Sequence, residues 1–392
     1  MSKTYILAAR RTPCGTLLGE LSSLSAPQLG AVALRAVIAD APDTTDDIEE
    51  ILMGCVLPAG IGQAPARQAA RIAGLSDSVP ATTVNKMCGS GMKTVMQADD
   101  AITAGRLKVV AAGGMESMSR APHLLAGGRR GIRLGNADVS DHMLIDGLRD
   151  AYEDKLMGAY AQDTADNLGF SREEMDAFAI ESTLRARAAF ERGDLTEEMA
   201  PVTVVIRGKE HKIIRDEQPP KSDIDKIPTL KPAFAKNGTI TAANSSCISD
   251  GAAALILAGE EYAKKHKTPP IARIVAQATH ARAPKDFTIA PGGAVAKVLA
   301  SAGWTVAQTD LFEINEAFAV VAMAAMREHD IPHEKVNIHG GAVAVGHPVG
   351  ASGARIIVSL LTALQKRGGQ RGVASLCIGG GEATAVAVEL CR

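Results

Sequence analysis

Aromatic side chains are scarce, with one Trp, four Tyr and seven Phe in 392 residues. Stacking platforms for bases or sugars therefore cannot be built in number. An excess of either charge is also missing: 42 Lys+Arg stand against 44 Asp+Glu, a formal charge of −2. That balance lacks the basic excess needed to neutralise a phosphate backbone, so nucleic acid is not an expected partner. No run approaches 18 consecutive apolar residues, and Met1–Arg11 has no apolar stretch of signal-peptide type. A soluble, cytoplasmic protein without membrane contact is expected.

The six cysteines, Cys14, Cys55, Cys88, Cys247, Cys377 and Cys391, show no CxxC spacing. Neither a secreted disulfide framework nor a zinc ribbon fits, so a thiol that matters should be free. The sequence has no G-x-x-x-x-G-K-[ST] and no G-x-G-x-x-G followed by an acidic residue about 20 positions on, which removes the signatures of phosphoryl and hydride transfer. His329 and His333 have metal-like spacing, but Pro332 interrupts the helix that would align them. No metal site is expected.

What the chain does have is glycine, 38 residues, about 10% against a usual 7%. Strands at Thr4–Ala9, Glu50–Val56, Ala81–Asn85 and Val109–Gly113 alternate with helices at Ala26–Ile38, Pro65–Ala73 and Gly91–Ala104. This grammar predicts an α/β protein with a parallel sheet covered on both faces. The pattern then recurs. Val84-Asn85 leads into Cys88-Gly89-Ser90-Gly91, an apolar helix and Val109–Gly114; Val336-Asn337 leads into Gly350-Ala351-Ser352-Gly353, another apolar helix and Val373–Gly381. Self-similarity on that scale means two duplicated halves. The expected boundaries are 1–120 with 249–270 for the first half, 271–392 for the second, and 121–248 for an inserted loop domain. Within the insertion, Leu168–Arg192 reads as one capped amphipathic helix and Thr203–Ile206 as a strand. Arg129, Arg130 and Arg133 lie in a Gly-rich loop, suited to an anionic ligand, to solvent or to a subunit contact.

Cys88 falls between a strand and a Gly-rich helix start, where free N–H groups and the helix dipole favour a thiolate; a buried small hydrophobe is the alternative. His347, inside Gly340–Gly350, occupies the matching loop of the second half and can reach the same point, which makes a Cys–His pair plausible. Cys377 precedes Gly379-Gly380-Gly381, whose unobstructed N–H groups could form an oxyanion hole; a core cysteine before a turn is the competing reading.

Four separated motifs together resemble the thiolase family, within it the acetyl-CoA acetyltransferases: Val84–Gly91 around Cys88, Asn315-Glu316-Ala317-Phe318-Ala319, Gly340–Gly353 around His347, and Cys377-Ile378-Gly379-Gly380-Gly381. The resemblance implies a five-layered αβαβα fold from two similar halves plus a loop domain that receives coenzyme A. It implies Claisen condensation of two acetyl-CoA to acetoacetyl-CoA and CoA, and the reverse thiolysis, through an acyl-cysteine; a 3-ketoacyl-CoA thiolase of broader chain length is the alternative. Cys88 would take the acyl group, His347 would activate it, and Cys377 would serve as acid and base. N–H groups of Cys88 and Gly379 would hold one oxyanion, and His347 with a water held by Asn315 the other. Ser246, Phe234, Leu148, Met157 and Phe318 would line the CoA path. No cofactor beyond the CoA substrates is implied. Leu156 stands where short-chain members often carry histidine, and Cys247 where many carry a smaller residue. Asp286–Pro291 resembles the subgroup containing mitochondrial acetoacetyl-CoA thiolases. The Ala121–Gly147 loop resembles a tetramerisation loop, implying a homotetramer built as a dimer of dimers.

Overall fold

The computed structural model describes residues 3–132, 134–267 and 269–391; Arg133 lies outside them. Nine strands carry the fold: β1 Thr4–Arg11, β2 Glu50–Gly54, β3 Ala81–Val84, β4 Val109–Ser117, β5 Ser249–Gly259, β6 Ala272–Ala281, β7 Leu311–Ile314, β8 Arg371–Ile378 and β9 Glu382–Leu390. The principal helices are α1 Ala26–Asp40, α2 Pro65–Ala73, α3 Ser90–Thr103, α4 Met157–Leu168, α5 Arg172–Glu191, α6 Ala290–Ala302, α7 Ala319–His329 and α8 Val349–Arg367.

The strands run in the order β7-β8-β9-β6-β1-β5-β4-β2-β3, and the two half-sheets join through Tyr5↔Arg273 and Ile6↔Ala272. Within the first half the order is β3-β2-β4-β5-β1. The second half repeats it, because a parallel bridge from Phe312 to Val336 takes the place of the β2–β3 pair. The duplication inferred from the motifs is therefore present as matching topology.

The sheet is mixed and not purely parallel as the alternation suggested. β2 runs parallel to β3 and β4, and β7 parallel to β8, but β5 returns antiparallel to β4 and β9 antiparallel to β8. The β8–β9 link is too short for a crossover helix. Its Gly380 and Gly381 adopt φ of 95° and 88°, left-handed values that close the turn.

Strand residues alternate between hydrophobic layers. Val109 and Ala111 of β4 face an outer core with α1 and α2, whereas Val110 and Ala112 face a central core containing Met92, Val95 and Ile357. In the second half, Val373 and Cys377 face the outer core of α6 and α7, and Ala374 and Leu376 face the same central core. Helices α3 and α8 pack on each other between the half-sheets. The result is five layers, α/β/α/β/α.

Residues between β4 and β5 form a less regular segment. The capped helix read over Leu168–Arg192 is present as α5, which Ser171 starts with a reciprocal capping box to Glu174; its N-terminal edge falls a few residues later than read, because Leu168 closes the preceding α4 and Gly169, at φ 66°, separates the two.

Candidate active site

Small residues bring α3 and α8 onto the strand ends. A Cβ on Gly114 would lie 2.0 Å from the carbonyl oxygen of Gly350, and one on Gly54 would lie 2.7 Å from both that oxygen and the Gly91 nitrogen. Glycine at these points lets both helix N-termini abut β2 and β4 with no side chain between. Glu116, fully buried at the end of β4, locks the junction by accepting from Val56 N (2.9 Å), Leu57 N (3.2 Å) and Gly350 N (3.0 Å). Burial lifts its carboxyl to about 7, against the pull of those N–H groups.

Cys88 sits at the entrance to α3 on a tight turn. Met87 is left-handed at φ 48°, and its N–H donates to Asn85 Oδ1 at 3.0 Å. Ser90 Oγ accepts from Lys86 N at 2.8 Å and donates to Met87 O at 2.6 Å. The N–H groups of Gly379 and of Cys88 itself are directed at the thiol. Even so, burial pushes Cys88 up to about 11. Helix placement alone predicted a favoured thiolate; desolvation outweighs that effect, and the resting group is a neutral thiol.

His347 is also neutral. Its Nδ1–H donates to Ser352 Oγ at 2.6 Å, and Ser352 in turn donates to Pro348 O at 2.9 Å. The serine proton being engaged there, Nδ1 carries the imidazole hydrogen and Nε2 is left as the bare base. Burial, helped by the charge of Arg355, lowers His347 to about 3. Asn315 Nδ2 faces Nε2 at 3.5 Å.

Cys377 lies at the end of β8 and is fully buried. Burial first, then Cys88 as a neighbouring thiol, raise it well above the usual thiol range.

A cavity of about 290 Å³ opens above these groups, lined by Cys88, His347 and Gly379 together with Leu148, Met157, Phe234, Ser246 and Phe318. Eight of the ten residues singled out from the sequence thus share one wall; Cys377 and Asn315 stand just behind it. The wall is held by local contacts. The Phe234 ring meets Phe318 edge-on with centroids 6.3 Å apart, and it lies so close over Gly158 that a Cβ there would sit 2.1 Å from the ring. Ser246 N donates to Ala317 O at 3.0 Å and His347 N to Cys247 O at 3.1 Å, so one segment aligns the cavity wall and the imidazole. Leu156 lines the same cavity, half-exposed.

Sequence reading missed Glu116, Ser352, Arg355 and Glu313. Arg355 is buried in α8 and donates to Glu313 at 3.3 Å and to Asn315 Oδ1 at 3.1 Å. Its signal was visible: one arginine inside the apolar run Ala354–Val358. His329 and His333 do not converge, since His329 Nε2 donates to Gly292 O at 2.8 Å while His333 stacks on Phe178. Among the described residues no group of three or more His, Cys, Asp or Glu side chains could hold a metal ion. Arg129 and Arg130 are exposed, away from the cavity lining.

Comparison with known proteins covers nearly the whole chain. Residues 4–261 match the thiolase N-terminal domain and residues 268–390 the thiolase C-terminal domain. Acetyl-CoA acetyltransferase IA of Candida tropicalis is 48% identical over 389 residues, covering 98% of this chain and 96% of that one. Acetyl-CoA acetyltransferase B, mitochondrial, of Xenopus laevis is 46% identical, covering 99% and 92%. The crystal structure of Acat5 thiolase from Ascaris suum in complex with coenzyme A superposes with a TM-score of 0.94 at 41% identity, over 99% of this chain and 100% of that one. With both domain models matched in order and the motif residues gathered at one cavity, this chain belongs to the thiolase family.

Proposed function

We infer that the protein is an acetyl-CoA acetyltransferase that condenses two acetyl-CoA to acetoacetyl-CoA and CoA and catalyses the reverse thiolysis. The observation that carries this reading is the meeting of one thiol, one bare imidazole nitrogen and the Gly379 N–H at a single cavity, with a second thiol behind. The named relatives act on acetyl-CoA, which supports the short-chain substrate over the broader 3-ketoacyl-CoA alternative.

The proton accounting closes with these groups. His347 Nε2 takes the Cys88 proton as the thiolate attacks the thioester carbonyl, and the oxyanion rests on the Cys88 and Gly379 N–H groups. CoA leaves as its thiolate and takes a proton from Cys377, whose raised pKa makes it a holder of that proton at rest. The acetyl-enzyme is then flanked by a Cys377 thiolate and a His347 imidazolium. A second acetyl-CoA loses its α-proton to Cys377, and the enolate oxygen is met by His347 Nε2–H and by a water held by Asn315. The carbanion attacks the acetyl carbonyl, Cys88 departs, and His347 returns its proton. Each group ends as it began.

Thioester exchange is nearly balanced in energy, so two thiols suit the task and no resident cofactor is needed; CoA and acyl-CoA are substrates. Cytoplasmic location and a homotetramer belong to the same proposal. The tetramer is supported by the exposed Leu125, Ile132, Leu134 and Val139 in the 121–147 loop, whose His123–Leu124 pairs with Ser140–Asp141. Light scattering and cell fractionation address these two points, a mitochondrial pool being the alternative that one relative's name suggests.

The deciding assay follows acetoacetyl-CoA with and without free CoA. Loss that requires CoA and yields two acetyl-CoA supports the reading; loss without CoA would make the protein a thioester hydrolase.

A further inference from the structure

Arg355 touches no part of the cavity, yet it governs a group that does. It is only 2% exposed, and its two terminal nitrogens reach Glu313 Oε1 at 3.3 Å and Asn315 Oδ1 at 3.1 Å. A guanidinium has donors and no acceptor, so the amide atom it meets must be the oxygen. Asn315 Nδ2 is thereby turned toward Nε2 of His347. The backbone does not decide this by itself: Asn315 N donates to Ser375 O at 2.9 Å, which places the residue but leaves the amide free to turn over. The same helix face performs the matching service one turn earlier, where Ser352 fixes the tautomer of His347. Hydrogen bonds therefore run in one direction, from Arg355 onto Asn315, from Asn315 toward His347, and from His347 through Ser352 to Pro348 O.

A buried ion pair is weak evidence for stability, because apolar residues of similar volume often serve as well. An arginine placed against one amide oxygen instead calls for a role at that amide. We propose that Arg355, charge-balanced by Glu313, is a positioning residue that orients the Asn315 amide for the carbon–carbon bond-forming half of the reaction. The inference rests on the reading of Asn315 as the residue that holds a water against the enolate oxygen. In that step the α-C–H bond breaks, the proton passes to Cys377, and the electron pair moves onto the thioester oxygen, which accepts from the water held by Nδ2–H. With the amide reversed, a carbonyl oxygen would draw a hydrogen from that water instead of donating to it.

The test uses the full-length enzyme and two rates: acetylation of Cys88 by acetyl-CoA, read by mass spectrometry, and α-proton exchange of acetyl-CoA in deuterated buffer. Asn315→Leu should slow exchange by roughly 100-fold, the usual cost of one lost oxyanion donor, and change acetylation less than about threefold. Arg355→Met should slow exchange by about 10–100-fold with acetylation similarly spared, and Arg355→Lys should recover part of the loss. If a lone Glu313 carboxylate prevents folding, Glu313→Gln/Arg355→Met removes both charges and carries the same comparison. The combination Arg355→Met/Asn315→Leu should be no slower than Asn315→Leu alone, as expected when one residue acts through the other. Additive losses, equal loss of both rates in Arg355→Met, or normal exchange in that variant would overturn the inference while leaving the site reading intact. Normal exchange in Asn315→Leu would instead overturn the role of Asn315, and this inference with it.

Discussion

Ser352 accepts the Nδ1–H of His347 at 2.6 Å and donates its own O–H to Pro348 O at 2.9 Å. This pair decides which imidazole nitrogen is the base. Ser352→Ala would leave a buried N–H unsatisfied, a cost of about 1–3 kcal/mol, and let the ring adopt the other tautomer. Slower acetylation of Cys88 by about tenfold is expected, together with a lower melting temperature. Unchanged acetylation would show that the ring is held by its neighbours alone.

Cys88→Ala should abolish acetyl-enzyme formation. Intact-mass analysis after adding acetyl-CoA should show one acetyl group per wild-type chain and none in the variant. Full labelling of the variant would move the nucleophile elsewhere.

Cys377→Ser should keep acetylation of Cys88 measurable and suppress α-proton exchange, since a hydroxyl is a far poorer base than a thiol near neutral pH. The deuterium content of acetyl-CoA is the readout. Exchange at the wild-type rate would assign the base to another group.

The acetylation half-reaction should be flat in rate between about pH 5 and 9. The competent state is a bare His347 beside a protonated Cys88. With His347 lowered to about 3, it keeps its lone pair above that pH; with Cys88 raised to about 11, it keeps its proton below that. An ordinary imidazole would instead give an inflection near 6.5. Stopped-flow acetylation across that range separates the two outcomes.

Met157 packs over Gly379, its sulfur 3.7 Å from where a Cβ would stand, and lines the cavity together with Leu156. Met157→Ala should raise activity on C6 and longer 3-ketoacyl-CoA relative to acetoacetyl-CoA, each methylene that fails to fit costing about 1–3 kcal/mol. A wild-type enzyme that already prefers C10 would show that this wall does not limit chain length.

The glycine-flanked residues were legible because their neighbours betray their position. Cys88 and His347 each stand beside the start of a helix in matching segments of a repeat, so the chain alone marks two equivalent loops. Cys377 is marked by the glycines that follow it. Arg355, Glu313 and Glu116 carry no comparable mark. A charge inside an apolar helix or strand says only that a partner exists, and the partners here lie up to 234 positions away, as Glu116 and Gly350 do.

The sequence by itself determined the alternation of strands and helices, the duplication and which residues stood as candidates for the site, since periodicity and glycine placement are local properties of the chain. Tertiary structure decided their chemical states and company. Burial set Cys88 as a thiol against the helix N-terminus that favours its anion, because desolvation depends on what packs around a group and not on its neighbours in sequence. The direction of the sheet beyond β4 and the orientation of the Asn315 amide were likewise settled by contacts between distant segments. Those contacts exist only once the two halves close on α3 and α8.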